Sequence, residues 1–394
     1  MVRGYVKSQK QGERLSDESE KATIGRRSLI LAGTALPVLS ISGFGSQLQQ
    51  AQAQTRTPST APAAGKVVMV ASSDTTAAIQ TKLNSIPAGG RLVFPGGSTF
   101  NLGRTAIVGK DGVTVWADGV VTLSGGASTG NGGVTAFNFN GRASGVVRGK
   151  APGQGFVFNG NMVDFGSANG TAPSPWAVGN CVFNNQPSNG LNGCAVNCSG
   201  ASFGLIINND FNNCKGNVLG QYDWDNITVD GNHFTNPLRP ISLSNGIDRR
   251  RGRNIKIMRN VITGANTGIE FAGEDVNGVG EYTANLLIDN NWLVDHGSPI
   301  VDGTDYISLV MRGAVGTVIS NNYFRGGGIE FDSRAAPATV TGNLFDTDGG
   351  LALYDLGANI AGNSFWNTSY VPPPGNTMLT SAPVAPPQPV RVVW

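Results

Sequence analysis

Only 14% of the 394 residues are charged and 56 are glycine, which argues against a long helical domain and for a turn-rich all-β chain. Residues 1–53 hold seven basic and four acidic residues, so the formal charge falls from +2 to −1 once they are set aside. A generally basic protein seeking nucleic acid is therefore not indicated.

Residues 1–53 read as an export signal. Arg26 and Arg27 precede an uncharged run, 28–43, too short and too glycine-interrupted for a membrane span, and Ala51-Gln52-Ala53 offers a small-x-small cleavage site. The block Gly25-Arg26-Arg27-Ser28-Leu29-Ile30 resembles a bacterial twin-arginine signal, which implies a mature chain that is periplasmic or extracellular and has no membrane span. Residues 54–65, rich in Thr, Pro, Ala and Ser, read as a disordered linker.

Asp74 is placed to cap a short helix whose apolar residues Ile79, Leu83 and Ile86 share one face. Gly89-Gly90, a short apolar strand and Phe94-Pro95-Gly96-Gly97 follow it. Farther on, seven asparagines recur: Asn209, Asn232, Asn260, Asn291, Asn322, Asn343 and Asn363, at spacings of 23, 28, 31, 31, 21 and 20 residues. Two residues after each stands a large apolar side chain: Phe211, Phe234, Ile262, Leu293, Phe324, Phe345, Phe365. Three residues before each stands a β-branched one: Ile206, Val229, Ile257, Ile288, Ile319, Val340, Ile360. A unit of this size cannot bury its apolar face alone, so it must stack on its neighbours as a solenoid. Its β-branched and aromatic content makes each turn a coil of strands. Asparagine suits the corner because it tolerates the left-handed conformation and can bond along the axis as a ladder.

The expected fold is thus an all-β, single-stranded right-handed parallel β-helix over residues 66–370 with a short N-terminal capping helix. The start of the domain (Asp74, Thr75, Ala77, Ile79, Gln80, Gly89, Gly90, Phe94, Pro95, Gly97) resembles that of pectate-lyase-like β-helices. That resemblance implies a carbohydrate-active protein without naming its reaction, because lyases, epimerases, hydrolases and phage tailspikes share the fold. The proline-rich tail, residues 371–394, is expected to cap the coil or fold back along it. All four cysteines, Cys181, Cys194, Cys198 and Cys214, lie within 34 residues, and export favours one or two disulfides over buried thiols.

The rungs are unequal, and the extra residues of the long ones must leave the coil as loops. Residues 248–334 hold 11 of the 22 acids of the mature chain. In Gly268-Ile269-Glu270-Phe271 and Gly328-Ile329-Glu330-Phe331, alternation sends Ile and Phe inward and glutamate outward, in like columns two rungs apart. Glu270 and Glu330, with Asp302, suit general acid and base work on a glycoside, and Arg312 suits neutralising a uronate. Arg239, Arg249 and Arg250 with Asp305, Tyr306, Asp332 and Trp224 are candidate substrate contacts, the aromatics offering faces for sugar rings. Glu270, Asp302 and Asp332 are oxygen donors of the kind calcium prefers, and no other cofactor is expected.

The partner expected is a linear polysaccharide, cut by a lyase acting on a uronate-containing glycan. A glycoside hydrolase using Glu270, Glu330 and Asp302 is the alternative, and a non-catalytic glycan-binding surface protein is a third reading.

Overall fold

The computed structural model describes residues 65–129, 133–140, 142, 144–166, 175–187, 193–221, 224–244, 252–265, 268–272, 283–294, 307–312, 314–331, 338–346, 358–367 and 371–394. These form a right-handed parallel β-helix. Each coil contributes to three sheets, of 14, 12 and 10 strands among the described residues, here sheets 1, 2 and 3 in the order the chain visits them. In one coil the chain runs through sheet 1 at Thr228–Asp230, turns at Asn232, crosses sheet 2 at His233–Thr235 and sheet 3 at Arg239–Ser244, and re-enters sheet 1 at Gly252–Met258. Successive strands pair in parallel, apart from one short antiparallel pairing of Ala127–Ser128 with Val134–Thr135.

The two sequence columns meet in one hydrogen-bond network. Asn260 Oδ1 accepts the backbone N–H and the Nδ2–H of Asn232, both at 3.0 Å. Its own Nδ2 donates forward to Asn291 Oδ1 and back to the carbonyl of Val229, each at 2.9 Å. The same pattern runs from Asn209 to Asn363, so each amide links its rung to both neighbours. Buried amides are costly unless every lone pair and proton is used, and here they are. Beneath the ladder the phenylalanines stack: Phe158, Phe183, Phe211 and Phe234 have centroids 4.7 Å, 5.0 Å and 4.7 Å apart, and Phe324, Phe345 and Phe365 are spaced by 4.8 Å and 4.7 Å.

Three details differ from the sequence expectation. The ladder asparagines are not the left-handed residues; the preceding residue is, with φ of 55° at Asn208, 64° at Gly231, 53° at Arg259 and 54° at Asn321. That residue turns the chain, and the turn frees the next side chain to point inward along the axis. The ladder also runs beyond residue 370. Asn376 accepts from Asn363, and Thr377–Met378 adds a strand to sheet 2. Third, the helix α1 (Thr76–Asn84) is capped by Thr75, whose hydroxyl accepts from the Ala78 N–H, while Asp74 bonds to Ala71 and Lys82.

Helix α1 closes the first rung by direct contact. Gln80 accepts from the Val108 N–H at 2.8 Å and donates to the Val108 carbonyl at 3.0 Å, occupying an edge that would otherwise add strands. No helix among the described residues is long and apolar enough to cross a membrane.

Asn260→Ala should destabilise the fold by about 3 kcal/mol or more, since it strips partners from Asn232, Val229 and Asn291 in a buried setting. Phe234→Ala should cost about 3–5 kcal/mol if its site cannot collapse. Chemical denaturation of both variants measures these losses, and an Asn260→Ala loss below that of an ordinary surface substitution would contradict the ladder's role.

Candidate functional site

Sheet 3 carries the candidate site on its outer face. One register column runs Val108, Asn138, Asp164, Asn197, Leu219, Ser242, Glu270, Val310, Glu330. Glu270 and Glu330 therefore stand two rungs apart in that column, with Val310 between them. At about 4.8 Å per rung their backbones are about 9.6 Å apart. Ile269 and Phe271 are fully buried, so alternation turns Glu270 outward, where Ser242 Oγ donates to its Oε2 at 3.1 Å. Ser242 lies one rung below and orients the carboxylate along the column.

Arg312 pairs with Ala272, placing it one rung above Glu270 and two residues farther along the strand. The other candidates spread out. Arg239 is exposed at the opposite end of its strand from Ser244, beside the corner that joins sheets 2 and 3. Trp224 lies in a short strand paired with Gly252, past the corner that leads to sheet 1. Arg253, three residues beyond Arg250, pairs with Asp225 at 3.2 Å. Arg249, Arg250, Asp302, Asp305, Tyr306 and Asp332 lie outside the described residues. So do most of the extra residues of the long rungs, at 245–251, 273–282 and 295–306, which join strands on either side of sheet 3. Among the described residues no group of three or more His, Cys, Asp or Glu is placed to hold a metal ion.

The column contains groups that repeat-reading missed. Asp164 Oδ1 accepts from Asn197 Nδ2 at 3.0 Å and from the Gly166 N–H at 2.8 Å. Burial pushes its carboxyl above the ordinary carboxylate range, against the pull of those two donors. The signal was present: Val163 and Phe165 are buried around Asp164, the same alternation that singles out Glu270. At its foot the column opens beside a cavity of 680 Å³ between α1 and sheet 3, lined by Gln80, Asn84, Val108, Lys110 and Arg142 among others.

No family model and no curated protein matches this chain. Solved structures do. A tailspike protein of E. coli bacteriophage HK620 superposes with a TM-score of 0.52 at 14% identity, over 84% of this chain and 71% of that one. Endo-xylogalacturonan hydrolase from Aspergillus tubingensis gives 0.47 at 13% identity, over 83% and 98%. The ORF18 protein of Geobacillus virus E2 gives 0.44 at 15% identity, and this chain spans 53% of its length. At 14% identity the tailspike likeness speaks for the fold alone.

All four cysteines are buried, and none is joined in a disulfide. Cys181, Cys198 and Cys214 donate to backbone carbonyls, and each is locked among rungs that already hydrogen-bond to one another. Burial pushes the Cys181 and Cys198 thiols up to about 12 and Cys214 to about 11. They should stay protonated and resist alkylation in the native protein at mildly alkaline pH, and all four should label once it is unfolded. Mass spectrometry of native and denatured samples checks this; two cysteines unlabelled after denaturation without reductant would point to a disulfide.

Proposed function

We propose that this is an exported, carbohydrate-active protein that cuts a linear polysaccharide laid along the outer face of sheet 3. The register carries this reading: two glutamates share one register column, two rungs apart, on a parallel sheet. Their backbone separation of about 9.6 Å lets flexible side chains close toward the roughly 6.5–9.5 Å between the carboxyls of inverting glycoside hydrolases. In this scheme one carboxylic acid protonates the leaving glycosidic oxygen. The other carboxylate takes a proton from the attacking water on the opposite side of the sugar ring. Ser242 holds Glu270 by the bond to Oε2, and Asp302 is the further carboxylate of the set. Asp164 and Asn197 on one side of Leu219, and Ser242 on the other, add polar groups to the same column, suited to the hydroxyls of a chain.

A second reading, β-elimination, draws on Arg312. Its register position beside Glu270 suits pairing with a uronate carboxylate while a base removes the proton at C5. Glu270, Asp302 and Asp332 would then supply the oxygen donors for a calcium ion, whose charge would neutralise the same carboxylate. Export rests on the Arg26–Arg27 signal, and it brings the protein to the periplasm or cell exterior, where such polymers are met.

Incubation with a panel of acidic and neutral polysaccharides separates the reactions. New reducing ends without ultraviolet absorbance mark hydrolysis, while an absorbing unsaturated uronate marks elimination. Glu270→Gln should lower turnover by about 10²–10⁴-fold with polysaccharide binding retained. Wild-type turnover in that variant would remove Glu270 from the chemistry. Binding by the wild type without any product would make the protein a glycan-binding one.

A further inference from the structure

The C-terminal segment leaves the coil at Thr377 and returns to the same column of sheet 2. That outward column runs Asp210, His233, Val261, Trp292, Tyr323, Leu344, Ser364, Thr377. Thr377 pairs with Ser364 at one end. At the other, Arg391 donates to the Asn208 carbonyl at 3.1 Å, contacts Asp210 Oδ1, and meets His233 Nδ1 at 3.1 Å. Asn208 reads the next residue in both directions: its Oδ1 accepts from the Val392 N–H at 3.0 Å and its Nδ2 donates to the Val392 carbonyl at 2.7 Å. The Trp394 ring lies against Gly179, where a Cβ would meet it at 2.1 Å, and under the Arg148 guanidinium at 4.0 Å.

Between these anchors residues 382–391 join no helix or strand, and Pro383, Pro386, Pro389 and the following Val392 are half-buried while the residues between the prolines are exposed. A period of three is that of a polyproline helix. Three of its residues advance about 9.3 Å, against about 9.6 Å for two rungs. The six rung steps from Thr377 to His233 span about 29 Å, and the stretch from Thr377 to Arg391 could reach about 43 Å in that conformation, so it spans them with slack. A proline at every third position thus meets an equivalent point of the coil every second rung. Val261 and Tyr323 lie on this path and, although they point outward, are only 5% and 3% exposed.

We infer that residues 382–394 form a polyproline-type strap over the outer face of sheet 2, and that the His233–Arg391 contact makes it an acid-released latch. Arginine has no acceptor, so the 3.1 Å contact to Nδ1 requires that nitrogen to be unprotonated and accepting. A proton there would turn an N–H toward the guanidinium and set two cations side by side. Asp210 Oδ1, 3.8 Å from His233 Nδ1, is already engaged by Arg391. Val261, on the next rung, brings no charge. Burial, and then the Arg391 charge, hold the His233 pKa below its ordinary value, with Asp210 opposing. The latched state therefore binds fewer protons than the released one. Latching is complete above the ordinary histidine range and weakens as pH falls through and below it, by at most about tenfold per pH unit for one proton. Release uncovers the strip formed by Val261, Trp292 and Tyr323.

Hydrogen exchange of the 390–394 amides in the full-length protein, corrected for the intrinsic rate, reads the opening equilibrium across pH. The wild type should open more as pH falls below the ordinary histidine value, while His233→Gln, which keeps an acceptor and cannot protonate, should show no such slope. A flat wild-type profile, or the same slope in His233→Gln, overturns the latch. Trp394→Ala leaves the histidine in place and should raise opening at every pH without changing the slope. Unchanged exchange in that variant would overturn the strap itself.

Discussion

From Asn209 onward this fold depends on one side-chain amide repeated along its axis. In the corner between sheets 1 and 2, each asparagine accepts twice from the rung before it and donates both to the rung after it and to a carbonyl of the rung before. Strand pairing alone would let a rung slide, because hydrogen bonds along a parallel ladder are evenly spaced. From Asn209 to Asn363 the asparagine column removes that freedom: a one-residue slip there would bury an unpaired amide. Inside it, the stacked phenylalanines fill the core with rings at nearly constant separation.

A fixed register is what lines up polar residues along one column of sheet 3. Alternation presents one residue per rung on the outer column, so Asp164, Ser242, Glu270 and Glu330 fall in line although 166 residues separate the first from the last. Rungs of different length keep this column in register, as the pairing from Ser242 through Glu270 and Val310 to Glu330 shows. Rigidity of the scaffold and variety at its edges thus come from the same construction. The strap is the counterpart on sheet 2, where a polyproline segment matches the rung spacing instead of adding strands.

Much of this was legible in the sequence because periodicity encodes it directly. The Asn, Phe and β-branched columns define the corner, the interior and the strand before it, and Ile-Glu-Phe defines inside and outside at Glu270. What was not legible depends on contacts remote in sequence. Asn376 lies only 13 residues after Asn363, too close to read as another rung, yet it accepts from Asn363 and bonds back to Ile360. Exposed ladders such as Asn226, Asn254 and Asn285 look like ordinary turn residues, since the left-handed conformation alone would account for them. Clustered cysteines after an expected export signal suggest disulfides, but stacked rungs bury each thiol beneath its own neighbours. The path of the tail is set by Asn208, Gly179 and His233, none of which carries a local signal for it.

Residue-resolved hydrogen exchange tests the ladder most directly. Each Asn backbone N–H donates to the side chain of the following rung, so the amides of Asn232, Asn260 and Asn291 should exchange only through global opening, although corners ordinarily exchange fast. In Asn260→Ala the protection of Asn232, whose N–H has lost its acceptor, should fall well below that of Asn291, which still donates to Asn322. Equal protection of the two amides in that variant, or rapid exchange of all three in the wild type, would contradict the account.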